Sequence, residues 1–199
     1  MSFSQILEEL YVGSHPETLE DIESLKSSWV ITAVLNLQTD EDLVERELDW
    51  SALEAYYTDL DISTQRVQMR DFDYEDQRRN LPDAVKALAR LLSSGQIVYL
   101  HCNAGQGRSP LVAMAYLYWC RGLGSQDAVK HFKERRACSP TTELLEVTRQ
   151  DLLGEEKLRK RIALRAYRLS RQRESQAADP FCDWVDAEKE ILKEILCYQ

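Results

Sequence analysis

The sequence HCNAGQGRS, residues 101–109, brings a thiol, two glycines and a guanidinium into one short loop. Apolar stretches precede and follow it, so we expect the loop to join a buried strand to a buried helix. Five residues separate Cys102 from Arg108, and their glycines allow successive main-chain N–H groups to turn toward one centre. The helix N-terminus adds positive potential there, and the guanidinium of Arg108 can donate two parallel hydrogen bonds to a tetrahedral oxyanion. The loop is therefore predicted to bind a dianion such as a phosphoryl group.

The same groups that bind an anion also act on the cysteine. The predicted anion cradle comprises Asn103, Ala104, Gly105, Gln106, Gly107 and Arg108. Inward-facing amides, a helix N-terminus and a guanidinium all favour the thiolate form of Cys102. A thiolate beneath a phosphoryl group is an in-line nucleophile, and its attack yields a phosphocysteine. Ser109 is placed to hydrogen-bond the sulfur and help it leave, and His101 is expected to orient the loop instead of acting as a base.

An acidic segment upstream offers the proton that the leaving oxygen of a phosphate monoester needs. The sequence RDFDYEDQRRNLP contains Asp71, Asp73 and Asp76. In isolation this segment would be interpreted as a solvated acidic loop, but next to the cysteine loop a catalytic role is favoured. The alternative for Cys102 is a buried structural thiol in a glycine turn. A structural thiol would not explain why a strand, glycines, an arginine, a hydroxyl and a helix follow one another in this order.

The order His101–Cys102, five residues, then Arg108–Ser109 resembles the signature of the cysteine-dependent tyrosine and dual-specificity phosphatases. The similarity covers about residues 7–153 and is greatest to the plant glucan phosphatases, a dual-specificity subgroup that dephosphorylates starch. The motifs that carry it are YVGSHPETLEDIESLK, VLNLQTDEDL, RDFD, HCNAGQGRSP and ERRACSP. The resemblance implies a tyrosine-phosphatase-like three-layer sandwich and a reaction that uses neither a metal nor an organic cofactor.

The resemblance also implies roles for three residues of the acidic segment. Asp71 would be the general acid, with Asp73 as the alternative, and Phe72 would be an aromatic side chain that stacks on sugar. The implied substrate is a phosphorylated polysaccharide, and a phosphorylated protein is the alternative. The competing function class is a catalytically idle phosphate-binding module. That module would require loss of the nucleophile or of the arginine, and both are present.

Segments of strand type and helix type alternate along most of the chain. Strands are predicted at residues 7–13, 29–37, 66–70 and 96–100. Helices are predicted at 14–28, 49–57, 81–95, 109–124, 125–140 and 141–154, with Ser14 and Ser125 as N-caps. This alternation predicts an α/β fold with a central, largely parallel sheet flanked by helices.

The sequence changes character near residue 154, so we divide the chain into a phosphatase domain, residues 1–153, and a C-terminal helical extension, residues 154–199. The extension contains a basic helix, 155–176, a break at AADP, and an acidic amphipathic helix, 181–196. Because amphipathic helices mostly bury their apolar stripe intramolecularly, packing is favoured over a partner surface. The extension resembles a short bacterial domain of unknown function. Its DW pair resembles a C-terminal segment that packs on the catalytic domain in plant glucan phosphatases.

Composition limits the remaining function classes. With 44% hydrophobic and 30% charged residues, the chain of 199 residues is typical of soluble globular proteins. Its net charge of −9 argues against a nucleic-acid partner. The longest apolar runs are shorter than the roughly 20 residues of a membrane span, and the start MSFSQILEEL is acidic, so we expect no membrane and a cytoplasmic location. Five cysteines without a C-x-x-C pair and three scattered histidines predict no metal site. Nothing in the sequence predicts an oligomeric state.

Overall fold

The computed structural model describes residues 1–172 and 180–197. Within these ranges the strands are β1 Phe3–Leu7, β2 Leu10–Gly13, β3 Ala33–Asn36, β4 Ser63–Arg66 and β5 Val98–His101. The helices are α1 Leu19–Ser27, α2 Asp40–Glu45, α3 Trp50–Asp59, α4 Tyr74–Ser93, α5 Arg108–Trp119, α6 Ser125–Lys133, α7 Leu144–Gly154, α8 Glu156–Gln172 and α9 Pro180–Cys197. None of these helices is long and apolar enough to cross a membrane.

The five strands form one sheet in the order β1-β2-β5-β3-β4. β1 pairs antiparallel with β2, and the pairs β2–β5, β5–β3 and β3–β4 are parallel. Leu100 of the central strand β5 is opposite Val12 on one side and Leu35 on the other. The segments that follow β2, β5, β3 and β4 therefore meet at one edge of the sheet, which is where open α/β sheets bind their ligands.

Helices cover both faces of this sheet, so the fold has three layers. On one face, Ile22 and Leu25 of α1 and Tyr57 of α3 pack against the sheet residues Val34 and Tyr99. On the other face, a larger apolar core joins the sheet to α4, α5, α6, α7 and the C-terminal helices. The predicted α/β architecture, with a largely parallel sheet between helices, is thereby confirmed.

Two predicted strands differ from the structure. The single strand expected at 7–13 is a hairpin, in which β1 and β2 are joined at Glu8–Glu9. The strand expected at 66–70 lies three residues earlier, as β4. β4 has the polar sequence STQR, and it occupies the edge of the sheet, where pairing needs only one neighbour and no continuous apolar surface. A prediction based on apolar runs therefore misplaces β4, because this strand is polar.

Two predicted N-caps are also wrong. α1 starts at Leu19, where Thr18 and Asp21 form a capping box, because Ser14 is held beside the start of β1 by hydrogen bonds with Ser2. α6 starts at Ser125 itself, so the N-cap is the preceding glycine. In both cases the cap lies one or more residues away from the serine that suggested it.

The helix expected from Leu81 begins seven residues earlier, at Tyr74, and carries Pro82 in its interior. Asp73 caps this longer helix by accepting a hydrogen bond from the Asp76 N–H at 3.0 Å. α2 was not predicted at all, although Thr39 forms a capping box at its start. Both helices bear on the cysteine loop, because Asp42 in the first turn of α2 and Asp71, just before α4, both contact Arg108.

The C-terminal extension folds against the rest of the chain. Arg161 pairs with Glu194, and Arg165 pairs with Glu190 and Glu194, so α8 and α9 run antiparallel. α9 packs on α4 and α5, which is the intramolecular packing that its amphipathic pattern favoured. Of the predicted break at AADP, only Pro180 is described, as the first residue of α9, and residues 177–179 lie outside the described residues.

Candidate active site

The cysteine loop lies at the centre of the carboxyl edge of the sheet. Cys102 directly follows β5, and Arg108 is the first residue of α5. Both side chains are enclosed: Cys102 is 2% exposed and Arg108 is fully buried. The hydroxyl oxygen of Ser109 lies 3.4 Å from the Cys102 sulfur, within hydrogen-bonding distance for a thiol. The structure therefore brings the three residues together as the sequence predicted.

The main-chain carbonyls of the loop are held from outside. Four consecutive carbonyl oxygens accept hydrogen bonds: that of Asn103 from His15, those of Ala104 and Gly105 from Arg136, and that of Gln106 from Ser139. The distances are 3.0 Å from the His15 N–H, 2.9 Å from Arg136 Nε to Gly105 and 2.9 Å from the Ser139 N–H. These contacts fix the orientation of the four peptide units.

That orientation turns the amides of the loop toward its centre. In a trans peptide unit the N–H points opposite to the carbonyl, so carbonyls held outward leave the N–H groups of residues 104–107 facing inward. Among the hydrogen bonds of the described residues, none is donated by these four N–H groups. They form a set of unoccupied donors in front of the Cys102 sulfur, which is the arrangement that binds an oxyanion.

Gly105 is the loop residue whose lack of a side chain is needed. Its φ of +66° is a left-handed conformation, and a Cβ there would come within 2.4 Å of the Gly13 carbonyl carbon. Only glycine therefore allows the loop to approach the end of β2 this closely.

The guanidinium of Arg108 is held through its two Nη atoms. Its Nη1 donates to Asp42 at 2.6 Å and to the Met69 carbonyl at 2.8 Å. Its Nη2 donates to Asp71 at 3.1 Å, and its buried Nε has no hydrogen-bond partner among the described residues. Nε and Nη2 form the edge of a guanidinium that binds two oxygens of a phosphoryl group side by side. The Arg108 guanidinium is thus oriented in advance, and of the donors Nε and Nη2 only Nη2 has a partner among the described residues.

Asp42 is the most important site residue that sequence reasoning missed. It is 8% exposed, and besides Arg108 it accepts hydrogen bonds from the Asn103 side chain at 2.5 Å and from the Thr39 N–H at 2.9 Å. Burial alone would raise the pKa of Asp42, but the hydrogen bonds from Arg108 and Thr39 lower it below its usual value. Asp42 is therefore ionised and holds the arginine and the first loop residue together.

Three acidic residues were candidates for the proton donor, and their positions differ. Asp73 caps α4 through the Asp76 N–H, and Asp76 accepts a hydrogen bond from the Arg70 N–H at 2.7 Å. Only Asp71 faces the loop, where it lies beside Gly107 and contacts Arg108. Its side chain is one-third exposed, so it lies at the mouth of the site, between the loop and solvent.

Phe72 lies at the entrance, next to Asp71. Its side chain is 97% exposed, and its φ of +57° is a left-handed conformation that aromatic residues rarely adopt. The ring makes no contribution to the core. The ring therefore lies in solvent beside Asp71.

His101 is buried behind the loop. Its Nδ1 lies 3.2 Å from the Cys102 carbonyl oxygen, and because a carbonyl only accepts, Nδ1 carries the proton. Burial lowers the pKa of His101 to about 3, so the ring is neutral at physiological pH. These contacts fit the predicted orienting role.

Three further site residues were also overlooked: His15, Arg136 and Ser139. Arg136 and Ser139 belong to the ERRACSP motif, and Arg136 is 7% exposed despite its charge. His15 follows β2, the neighbour of β5. These residues follow elements that end near the loop. They could have been identified from the sequence only if the strand order had been known. Among the described residues, no cluster of three or more His, Cys, Asp or Glu side chains is suited to hold a metal ion.

Comparison with known sequences identifies similar proteins. The family model described as "Dual specificity phosphatase, catalytic domain" matches residues 10–150. The chain is 34% identical over 155 residues to phosphoglucan phosphatase DSP4, amyloplastic, of Castanea sativa, covering 77% of this chain and 41% of that protein. It is 32% identical over 132 residues to laforin of Mus musculus, covering 61% of this chain and 40% of that protein. The chain thus spans about two fifths of the length of these relatives.

Solved structures show the same fold. The crystal structure of Tk-PTP in the active form superimposes with a TM-score of 0.62 at 20% sequence identity, covering 77% of this chain and 97% of that chain. At this identity the likeness concerns the fold alone. It supports the three-layer arrangement of sheet and helices described above.

Proposed function

The chain belongs to the dual-specificity phosphatase family, and on that premise we propose that it hydrolyses phosphomonoesters through a phosphocysteine at Cys102. The observation that carries this proposal is the set of inward-facing N–H groups at residues 104–107, next to the sulfur and the unoccupied Nε of Arg108. These groups match a phosphoryl group in charge and in hydrogen-bonding capacity.

In the first step, the Cys102 thiolate attacks phosphorus opposite the ester oxygen. The S–P bond forms, the P–O bond breaks, and Asp71 gives its proton to the leaving oxygen, so the alcohol departs neutral. Charge that develops on the phosphoryl oxygens is stabilised by the loop amides and by Nε and Nη2 of Arg108. Nη2 must first exchange its contact with Asp71 for a substrate oxygen.

In the second step, Asp71, now ionised, takes a proton from water as the water oxygen attacks phosphorus. The S–P bond breaks, inorganic phosphate forms, and the thiolate and the protonated Asp71 are restored. The Ser109 hydroxyl, 3.4 Å from the sulfur, is positioned to donate a hydrogen bond to the departing thiolate. Asp42 contacts no reacting atom in this sequence and acts by holding Arg108.

Within the phosphatase class, we propose a phosphorylated glucan as the substrate. The chain is 34% identical over 155 residues to a phosphoglucan phosphatase, and the exposed Phe72 ring beside Asp71 offers a flat apolar surface to a sugar. A phosphoprotein is the alternative, since the chain is also similar to tyrosine-protein phosphatase vhp-1 of Caenorhabditis elegans. The test compares phosphate release from solubilised starch and from a phosphotyrosine peptide, and faster release from the peptide would contradict the glucan assignment.

Replacing Phe72 with alanine is expected to raise KM for solubilised starch roughly five- to tenfold, the equivalent of one aromatic stacking contact. Turnover of p-nitrophenyl phosphate, which carries no sugar, should remain unchanged. Phe181→Ala is the matched control, because it removes an exposed phenyl ring from α9 in the C-terminal extension. Equal losses on both substrates for Phe72→Ala would show that the ring supports the acid loop and does not bind sugar.

Replacing Asp71 with asparagine is expected to lower kcat by about 100- to 1,000-fold on a phosphorylated sugar, whose alkoxide leaving group needs a proton. The loss should be smaller on p-nitrophenyl phosphate, because its leaving group is stable as an anion. Asp73→Asn is the matched control: asparagine caps helices as well as aspartate does, so this variant should keep both stability and activity. The assignment fails if Asp73→Asn, and not Asp71→Asn, shows the larger loss on the phosphorylated sugar than on p-nitrophenyl phosphate.

A further inference from the structure

Two cysteines outside the active site lie in contact across the junction between the phosphatase fold and the C-terminal extension. Cys120 caps the C-terminal end of α5, and Cys197 is the last residue of α9. The two side chains are close enough that each thiol shifts the pKa of the other. Both residues line a surface cavity of about 320 Å³ together with Lys193 and Arg121. Here the extension meets α5, the helix that begins with Arg108, through two thiols.

The two thiols are not equivalent. The neighbouring Cys120 thiol lowers the pKa of Cys197, and the Lys193 ammonium one turn earlier acts in the same direction. The pKa of Cys120 is raised by its Cys197 neighbour and by burial. Cys120 is 5% exposed, whereas Cys197 is half-buried and borders the cavity. The pair therefore consists of an accessible sulfur that ionises first and a protonated sulfur held against it.

We propose that Cys120 and Cys197 are a site of oxidative modification, at which a peroxide forms a disulfide that fastens α9 to α5. Both side chains border the same cavity where the end of α5 meets the end of α9, so an S–S bond of about 2.05 Å would join two neighbouring helix ends. Cys197 lies in the last turn of its helix, where the backbone adjusts most easily. The shared cavity at the junction of α5 and α9 selects this pair, and the inference does not depend on the proposed function.

The reaction balances with hydrogen peroxide as the oxidant. The Cys197 thiolate attacks one peroxide oxygen, the O–O bond breaks, and hydroxide leaves, which gives a sulfenic acid. The Cys120 sulfur then attacks the Cys197 sulfur, and the sulfenic oxygen leaves as water with the Cys120 proton. Two thiols are oxidised to one disulfide, and one peroxide is reduced to two molecules of water.

The catalytic thiol cannot take part in this bond. α5 spans Arg108–Trp119, which corresponds to roughly 18 Å at the usual rise per residue. Cys102 precedes this helix and Cys120 follows it, so the two sulfurs lie at opposite ends of a buried rod. Oxidation at the junction is therefore a separate event from oxidation in the active site.

The test treats the full chain with a small excess of hydrogen peroxide, digests it without reduction and identifies cross-linked peptides by mass spectrometry. We expect one peptide pair that joins Cys120 to Cys197, two mass units lighter than the sum of its reduced parts. The melting temperature should rise by roughly 5 °C and return on reduction, because the disulfide closes a long loop.

Cys197→Ser should abolish both the cross-link and the rise in melting temperature, and this half-buried position tolerates serine even if Cys120→Ser fails to fold. Cys182→Ser removes an exposed thiol of the same helix and should leave both intact. Two results would overturn the proposal: oxidation of both thiols to sulfinic acids without a cross-link, or a disulfide that joins Cys197 to Cys138 or Cys182.

Discussion

Replacing Cys102 with serine is expected to lower turnover of p-nitrophenyl phosphate by at least about 10,000-fold. A hydroxyl at this position is protonated at neutral pH, and the neighbouring His101 is too weak a base to activate it, because burial lowers its pKa to about 3. The exchange removes the nucleophile but leaves the amides of residues 104–107 and Arg108 in place. Steady-state kinetics on purified protein measure the loss.

The same variant distinguishes an enzyme from a phosphate-binding module. Because its anion cradle is intact, the serine variant should still bind tungstate or phosphate in a calorimetric titration. Cys182→Ser, at an exposed position on α9, serves as the control for the loss of a thiol as such and should keep full activity. Binding of phosphate without turnover by the unmutated protein would contradict the phosphatase assignment and favour the module.

Replacing Arg108 with lysine is expected to lower kcat/KM by about 1,000-fold, although the positive charge is retained. Arginine presents two parallel N–H donors, whereas lysine is a point charge that cannot bind two phosphoryl oxygens and Asp42 at once. The buried position adds to the loss, because a lysine there leaves the Met69 carbonyl and the Asp42 carboxylate with fewer donors. The loss should appear in kcat as well as in KM, since the second donor matters most in the transition state.

Arg78→Lys provides a matched control on the surface. Arg78 also forms a two-point contact with a carboxylate, from Nε and Nη2 to Asp151 at 2.6 and 2.8 Å, but it lies on α4 away from the loop. This variant should retain activity within a factor of two. Comparable losses in the two lysine variants would mean that Arg108 supports the fold and not the reaction, which a thermal melt of both proteins would reveal.

Local sequence was sufficient to identify the cysteine loop. The loop is defined by contiguous residues whose chemistry is visible in one stretch, and its position between β5 and α5 follows from the flanking apolar runs. Asp71 was one of three acidic candidates, and local sequence could not separate them. The structure separates them because Asp73 and Asp76 are used for the start of α4, which leaves Asp71 at the loop.

Residues that reach the loop from neighbouring strands could not be predicted from local sequence. Asp42 and His15 reach the loop because β3 and β2 flank β5, and that strand order is a property of the whole chain. Arg136 is 28 residues beyond Arg108, and nothing in its charged surroundings predicts that it holds loop carbonyls. Charged residues are usually solvated, so a buried arginine becomes recognisable only once its partners are known.

At Phe72, folding stability and function favour different residues. A left-handed φ costs an aromatic residue about 1 kcal/mol, and a ring left almost wholly in water returns none of it through packing. Glycine would relax this residue without loss elsewhere. Selection for thermal stability alone would therefore not retain this ring. Its presence is explained by selection for binding a ligand.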